Sequence, residues 1–200
     1  MKTLDELGCE CGTDRASNGW HGYLDTYEDV LGHLRDESIV LVEIGVLGGA
    51  GIRTWAKWFT HPDIRIIGID IETFRYAGCD DPRVTVIEAD GTTPATARRL
   101  PEQIDICIDD GSHFASHQFA SFQNLWPRVK PGGFYAIEDL HTFASPQHCN
   151  ARQTIMQWIA EKCESIQARG PLGQAKRLPG DSDIEWILVR KGLCIIRKAK

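Results

Sequence analysis

The chain reads as an α/β protein whose sheet of seven strands is mostly parallel and is closed by an antiparallel hairpin at the C-terminal end. Three observations predict this. Short apolar runs bounded by turn residues alternate with longer stretches of helical character, the pattern of strand–helix–strand units. Each of the first five runs contains or is closely followed by an acid: Glu43, Asp70, Asp90, Asp109-Asp110 and Glu138-Asp139. The last two runs are separated by Lys191-Gly192, a two-residue link that suits a hairpin.

In order along the chain, the predicted strands are residues 39–44, 65–69, 84–87, 104–108, 133–137, 184–189 and 193–197. Predicted helices cover 23–35, 51–59, 93–99, 117–125 and 151–167. Trp55 and Trp58 lie on the helix after the first strand, at a spacing that packs them against the sheet; Trp126, before Pro127, reads as core or turn. Residues 170–183, with Pro171, Gly173, Pro179 and Gly180, read as a mobile loop beside the hairpin. No internal repeat or low-complexity tract interrupts the pattern, and 200 residues suffice for one domain with a substantial core.

Composition excludes several partners. The net charge is 22 − 28 = −6 with no long basic run, so a nucleic-acid footprint is not expected. No apolar run approaches the ~18 residues of a membrane span, and the start of the chain lacks the apolar stretch of a signal peptide. The expectation is a cytoplasmic protein. The seven cysteines are odd in number and irregularly spaced, as suits reduced thiols; Cys9-x-Cys11 is not followed by a second pair with zinc-like spacing.

The chemistry concentrates in Asp109-Asp110-Gly111-Ser112-His113 and Glu138-Asp139, with Asp110 and Glu138 28 residues apart. Carboxylates ending neighbouring strands repel one another unless a positive group joins them, and hard dications such as Mg²⁺ take such oxygen ligands. His113 adds a candidate base. Taken singly, Asp110 reads as a helix N-cap and Glu138-Asp139 as a solvated strand end; their convergence favours a metal site. His117 reads as a helix-face histidine. His141 is placed to assist the base or to gate substrate entry.

The first strand runs into a glycine turn, Glu43-Ile44-Gly45 to Gly49, whose spacing differs from the dinucleotide fingerprint. Glu43 would repel a pyrophosphate and suit a cationic ligand such as the amino group of S-adenosylmethionine, which weighs against a nicotinamide oxidoreductase. Asp70 ends the second strand, where α/β folds hold ribose hydroxyls, and Asp90 follows the third on the adenine side.

Together with Gly12-Thr13-Asp14-Arg15, His21-Gly22-Tyr23, Tyr27-Glu28, Lys130-Pro131-Gly132-Gly133 and Leu140-His141, these motifs resemble the class I S-adenosylmethionine-dependent methyltransferases. More narrowly, the chain is similar to the metal-dependent sugar O-methyltransferases of macrolide pathways, the mycinamicin type. The resemblance implies a Rossmann-like seven-stranded fold, with Mg²⁺ or Mn²⁺ on Asp110, Glu138 and Asp139 and His113 as general base. It implies a cofactor site of Glu43, Gly45, Gly49, Asp70, Asp90 and Asp109, covered by a helical lid over residues 1–37 that brings Thr13, Asp14 and Tyr23, with residues 38–200 as the core. Trp20 would lie in that lid.

The pattern departs from the family in three places. Leu47 stands where many methyltransferases have glycine. Gly91 stands where relatives carry a polar residue. The macrolide enzymes also have an added N-terminal domain, so their acceptor does not transfer directly. The acceptor implied is a small hydroxylated molecule, a sugar or glycosylated natural product, and the resemblance leaves a homo-oligomer open. The alternative is a non-catalytic cofactor-binding accessory protein of a natural-product hydroxylase or other partner enzyme.

Overall fold

The computed structural model describes residues 1–167 and 183–200. Most of the loop expected over 170–183 lies outside the described residues. The seven strands form one mixed sheet, as the sequence predicted, and their order is β3-β2-β1-β4-β5-β7-β6. The chain divides into two compact units, Met1–Gly91 and Thr92–Lys200.

The first unit opens with α1 (Leu4–Cys11), an element absent from the predicted set. Its signal is local: Thr3 and Glu6 form a reciprocal capping box, and Gly12 closes the helix in the left-handed conformation. A tertiary cap adds to this, as the Leu4 N–H donates to Glu28 Oε2 at 2.7 Å. The helix predicted over 23–35 is shorter, α2 (Leu24–Leu31), followed by one 3-10 turn. Strand β1 (Val40–Ile44), helix α3 (Ala50–Trp58), strand β2 (Arg65–Asp70) and strand β3 (Val84–Glu88) follow, all three strands parallel. Registers Ile44–Ile69 and Asp70–Glu88 bring the C-terminal strand ends side by side. Trp55 and Trp58 are fully buried, as their spacing predicted, with Tyr27 edge-on to Trp55 at 5.4 Å.

The second unit holds α4 (Pro94–Arg99), β4 (Ile104–Asp109), α5 (Ala115–Leu125), β5 (Val129–Ile137), α6 (Ile155–Gln167), β6 (Ile184–Arg190) and β7 (Leu193–Lys198). Strand β5 begins four residues earlier than expected, with a register shift against β4 between Ile104 and Ile106. Strands β6 and β7 form the expected hairpin, with Arg190 opposite Leu193. The Gly192 carbonyl accepts the Leu140 N–H at 3.0 Å and fixes the hairpin to the chain that leaves β5. Strand β4 is buried along its whole length, as expected of a central parallel strand. Ile104, Ile106 and Ile108 are within 1% of full burial, and each contributes roughly 1.5–3 kcal/mol.

Two positions work against stability. Leu47 has φ 47°, between Gly45 at 87° and Gly49 at 80°, so a branched side chain holds a conformation that suits glycine. It is 63% exposed and recovers little by packing. Leu47→Gly should therefore stabilise by up to about 1 kcal/mol after the entropy cost of glycine, raising the thermal midpoint by roughly 2–4 °C. An unchanged or lowered midpoint contradicts the strain.

Asp109 ends β4 only 3% exposed. Burial pushes its carboxyl up to about 6, against hydrogen bonds from the Gly111 N–H, the Tyr135 hydroxyl and Ser121, and the Glu138 charge adds to the push. An unfolded aspartate titrates near ~3.9. Between about pH 4 and 6 the folded chain thus binds more protons than the unfolded one, and this group lowers stability as pH rises. Below that window it carries no penalty; above it the penalty is complete. Asp109→Asn should remove this component, gaining on the order of 2 kcal/mol at pH 7. Urea unfolding of chelator-treated protein from pH 4 to 7 reads this directly: parallel curves for wild type and variant contradict it.

Candidate active site

In the first unit the glycine turn after β1 is held by Asp70. One carboxylate oxygen, Oδ2, accepts the Val46 and Leu47 N–H groups at 2.8 and 2.9 Å; Oδ1 accepts the Glu72 N–H at 3.0 Å. Partial burial works against its charge. The N–H groups of Glu72, Leu47, Val46 and Ile71 outweigh that and hold its pKa below the ordinary carboxylate value. Asp70 therefore shapes the turn as well as ending the strand. Leu47 and Ile71, 63% and 66% exposed, flank it with apolar surface. The Ala89 N–H donates to the Asp70 carbonyl at 2.8 Å, which sets the exposed Asp90 beside this strand end.

Glu43 is 1% exposed and both its carboxylate oxygens are engaged: Oε1 accepts from Arg15 Nη1 at 3.1 Å and Oε2 from the Trp55 indole N–H at 2.6 Å. Arg15, at the end of the Gly12–Arg15 motif, is a partner that the sequence alone does not reveal. Of the residues expected in a lid, Thr13 is buried and its hydroxyl accepts the Arg15 N–H at 3.4 Å. Tyr23 is buried and stacks on His21 with ring centroids 4.9 Å apart. Asp14 is exposed, its carboxylate 3.8 Å from His21 Nε2, while its carbonyl accepts the Trp20 and His21 N–H groups. Trp20 itself is 89% exposed.

In the second unit Asp110, His113 and Asp139 converge, each presenting one ligand atom within 4.8 Å of the others. His113 Nε2 lies 3.6 Å from Asp139 Oδ2. Both residues have left-handed backbones, φ 59° and 56°, a cost retained where surrounding structure enforces it. For Asp139 that structure includes Thr142, whose N–H and hydroxyl both donate to the Asp139 carbonyl, at 3.0 and 2.7 Å. A dication with ~2.1 Å bonds holds any two donor atoms no more than about 4.2 Å apart, so the cluster, whose atoms lie within 4.8 Å of one another, has to close further around one. The two carboxylates are the hard oxygen donors such an ion takes, and the imidazole lies beside them.

Glu138 is 1% exposed and outside that cluster, its N–H donating to the Asp109 carbonyl at 3.0 Å. Asp109 is likewise turned into the protein, against Tyr135, whose hydroxyl burial pushes well up. Sequence reasoning missed Tyr135 and Ser121 as its partners; both sit on elements identified only by their apolar pattern. His117 bonds the Ser112 hydroxyl through Nδ1 at 2.7 Å, and His141 is exposed. An open groove of about 680 Å³, lined by Phe59, Pro62, Asp81 and Arg83 among others, contains none of the candidate residues.

Residues 42–140 match a methyltransferase domain family. The chain is 38% identical over 150 residues to an 8-demethyl-8-alpha-L-rhamnosyl tetracenomycin-C 2'-O-methyltransferase of Streptomyces olivaceus, an alignment covering 70% of this chain and 38% of that protein. It is 29% identical over 200 residues to the mycinamicin VI 2''-O-methyltransferase of Micromonospora griseorubida, covering 90% of this chain and 49% of the relative. The chain thus spans half or less of the length of these relatives. Among solved structures, the MycE methyltransferase of mycinamycin biosynthesis in complex with Mg and SAH superposes with a TM-score of 0.83 at 27% identity, over 100% of this chain and 55% of that one. The seven-stranded mixed sheet, the glycine turn held by Asp70 and these matches agree: residues 42–140 are a methyltransferase domain, and the chain has the class I methyltransferase fold and resembles the macrolide sugar O-methyltransferases.

Proposed function

We propose that this chain transfers a methyl group from S-adenosylmethionine to a hydroxyl of a small acceptor, a sugar or glycosylated natural product. It does so with Mg²⁺ or Mn²⁺ bound by Asp110 and Asp139; Glu138, the third ligand the sequence suggests, is adjacent to Asp139 in the chain. The observation that carries the reading is the convergence of Asp110, His113 and Asp139 beyond the paired ends of β4 and β5. The names of the relatives support it, since they act on rhamnosyl tetracenomycin and mycinamicin VI, and the MycE structure contains Mg and SAH. Seven free cysteines suit a reducing, cytoplasmic setting. No helix among the described residues is long and apolar enough to cross a membrane.

When bound, the cofactor supplies an electrophilic methyl on a sulfonium and the dication lowers the pKa of a coordinated hydroxyl. The chain supplies the rest. Asp70, ionised and fixed by backbone N–H groups, accepts ribose hydroxyls, with Asp90 beside it and Leu47 and Ile71 as apolar walls. Gly45 and Gly49 let the main chain approach the ligand closely. Thr13, Asp14 and Tyr23 belong to the segment that covers it, within residues 1–37. His113 Nε2 takes the proton as the acceptor oxygen bonds to the methyl carbon and the carbon–sulfur bond breaks. Asp139 Oδ2, 3.6 Å away, stabilises the resulting imidazolium.

Two outcomes follow. Methyl transfer from labelled cofactor to a panel of rhamnosides and related glycosides should occur with Mg²⁺ or Mn²⁺ and stop on chelation; transfer that survives exhaustive chelation rules out the metal. His113→Ala should lower kcat by roughly 10²–10⁴-fold while calorimetric binding of S-adenosylhomocysteine stays unchanged. Full activity in that variant removes His113 as the base. Tight cofactor binding without turnover on any glycoside would favour the accessory-protein reading.

A further inference from the structure

The ion pair between Arg15 and Glu43 is almost completely buried, with side chains 3% and 2% exposed. Such pairs seldom stabilise a fold more than apolar residues of the same size would, so this one calls for another reason. Its position supplies one. Glu43 lies two residues before Gly45, where the glycine turn begins, and the Trp55 indole satisfies its second oxygen. Arg15 comes from a cross-braced segment. The Tyr23 N–H donates to the Arg15 carbonyl at 2.7 Å, and the preceding Asp14 carbonyl takes the Trp20 and His21 N–H groups, both at 3.1 Å. The guanidinium passes across the first turn of α3 at Gly51, where a Cβ would lie 2.1 Å from Arg15 Nη1 and 2.7 Å from Glu43 Oε1. Three pieces of chain meet at this pair: the 12–23 segment, the end of β1 and the start of α3.

We propose that Arg15 is a positioning residue for the cofactor: Glu43 acts on the ligand only through Arg15, and the pair clamps the 12–23 segment against the first turn of α3. Glu43 does not itself bind the ligand's ammonium group. The inference rests on the reading that the turn after β1 holds S-adenosylmethionine.

Two probes separate the roles. S-adenosylhomocysteine carries the amino-acid end; 5′-methylthioadenosine lacks it. Their affinities are measured by calorimetry for wild type, Arg15→Lys, Arg15→Gln, Glu43→Gln, the double variant Arg15→Gln/Glu43→Gln, and Gly51→Ala. The clamp predicts that Arg15→Gln, Glu43→Gln and Gly51→Ala weaken both ligands by a similar factor, roughly tenfold, the scale of coupling within one network. The double variant should be no weaker than either single one, and Arg15→Lys should recover most of the loss. Should Glu43→Gln fail to fold, Arg15→Lys and Gly51→Ala carry the same comparison. Loss of S-adenosylhomocysteine alone on Glu43→Gln would mean direct contact with the ammonium and overturn the proposal. Additive losses, or no change for either ligand, overturn it too. Wild-type protein that binds neither probe takes down the methyltransferase reading and this inference together.

Discussion

The constraint behind this structure is that acids gather at the C-terminal ends of its strands and each must be compensated. A carboxylate leaving water needs a cation, a set of hydrogen-bond donors or a proton. This chain uses all three. Glu43 receives a guanidinium and an indole N–H. Asp70 receives backbone N–H groups and keeps its charge. Asp109, buried among hydroxyls and near Glu138, drifts toward the protonated form. Asp110 and Asp139 have an imidazole within reach and spacing that admits a dication. The mode of compensation sorts five similar residues into different parts: a clamp, a turn-holder, a buried neighbour and two ligand candidates.

Much of this was legible in the sequence. Apolar runs located every strand to within a few residues, and the two-residue link announced the hairpin. Trp55 and Trp58 went to the core because their spacing put them on one helix face. Asp110, His113 and Asp139 stood out as an acid–base cluster and converge in three dimensions. Other features were hidden for physical reasons. Helix α1 is eight residues long, and its evidence lay in capping groups and not in periodicity. The partner of Glu43 comes from far upstream, and no local rule links a strand acid to an arginine in a loop. Asp109 and Asp110 are neighbours in sequence, yet one is buried and the other is partly exposed where β4 gives way to loop; composition cannot tell which faces inward.

Backbone strain follows the same map. Among the described residues, the non-glycine positions with positive φ are Leu47, His113 and Asp139. One lies in the glycine turn after β1 and two in the acid–base cluster. Leu47 also explains how the turn survives without its usual glycine: the conformation is kept and the residue strained, with Asp70 supplying the hydrogen bonds that enforce it. Backbone strain and the candidate-site residues therefore occupy the same few positions, supported by a core rich in isoleucine and tryptophan.

The order of Arg15 and Glu43 along the polypeptide has a consequence for biosynthesis. A ribosome releases residue 15 well before residue 43. When β1 emerges, the guanidinium that must accompany its acid into the interior has already been made. A nascent chain with the opposite arrangement would hold a lone anion at a strand terminus until its counter-charge was translated.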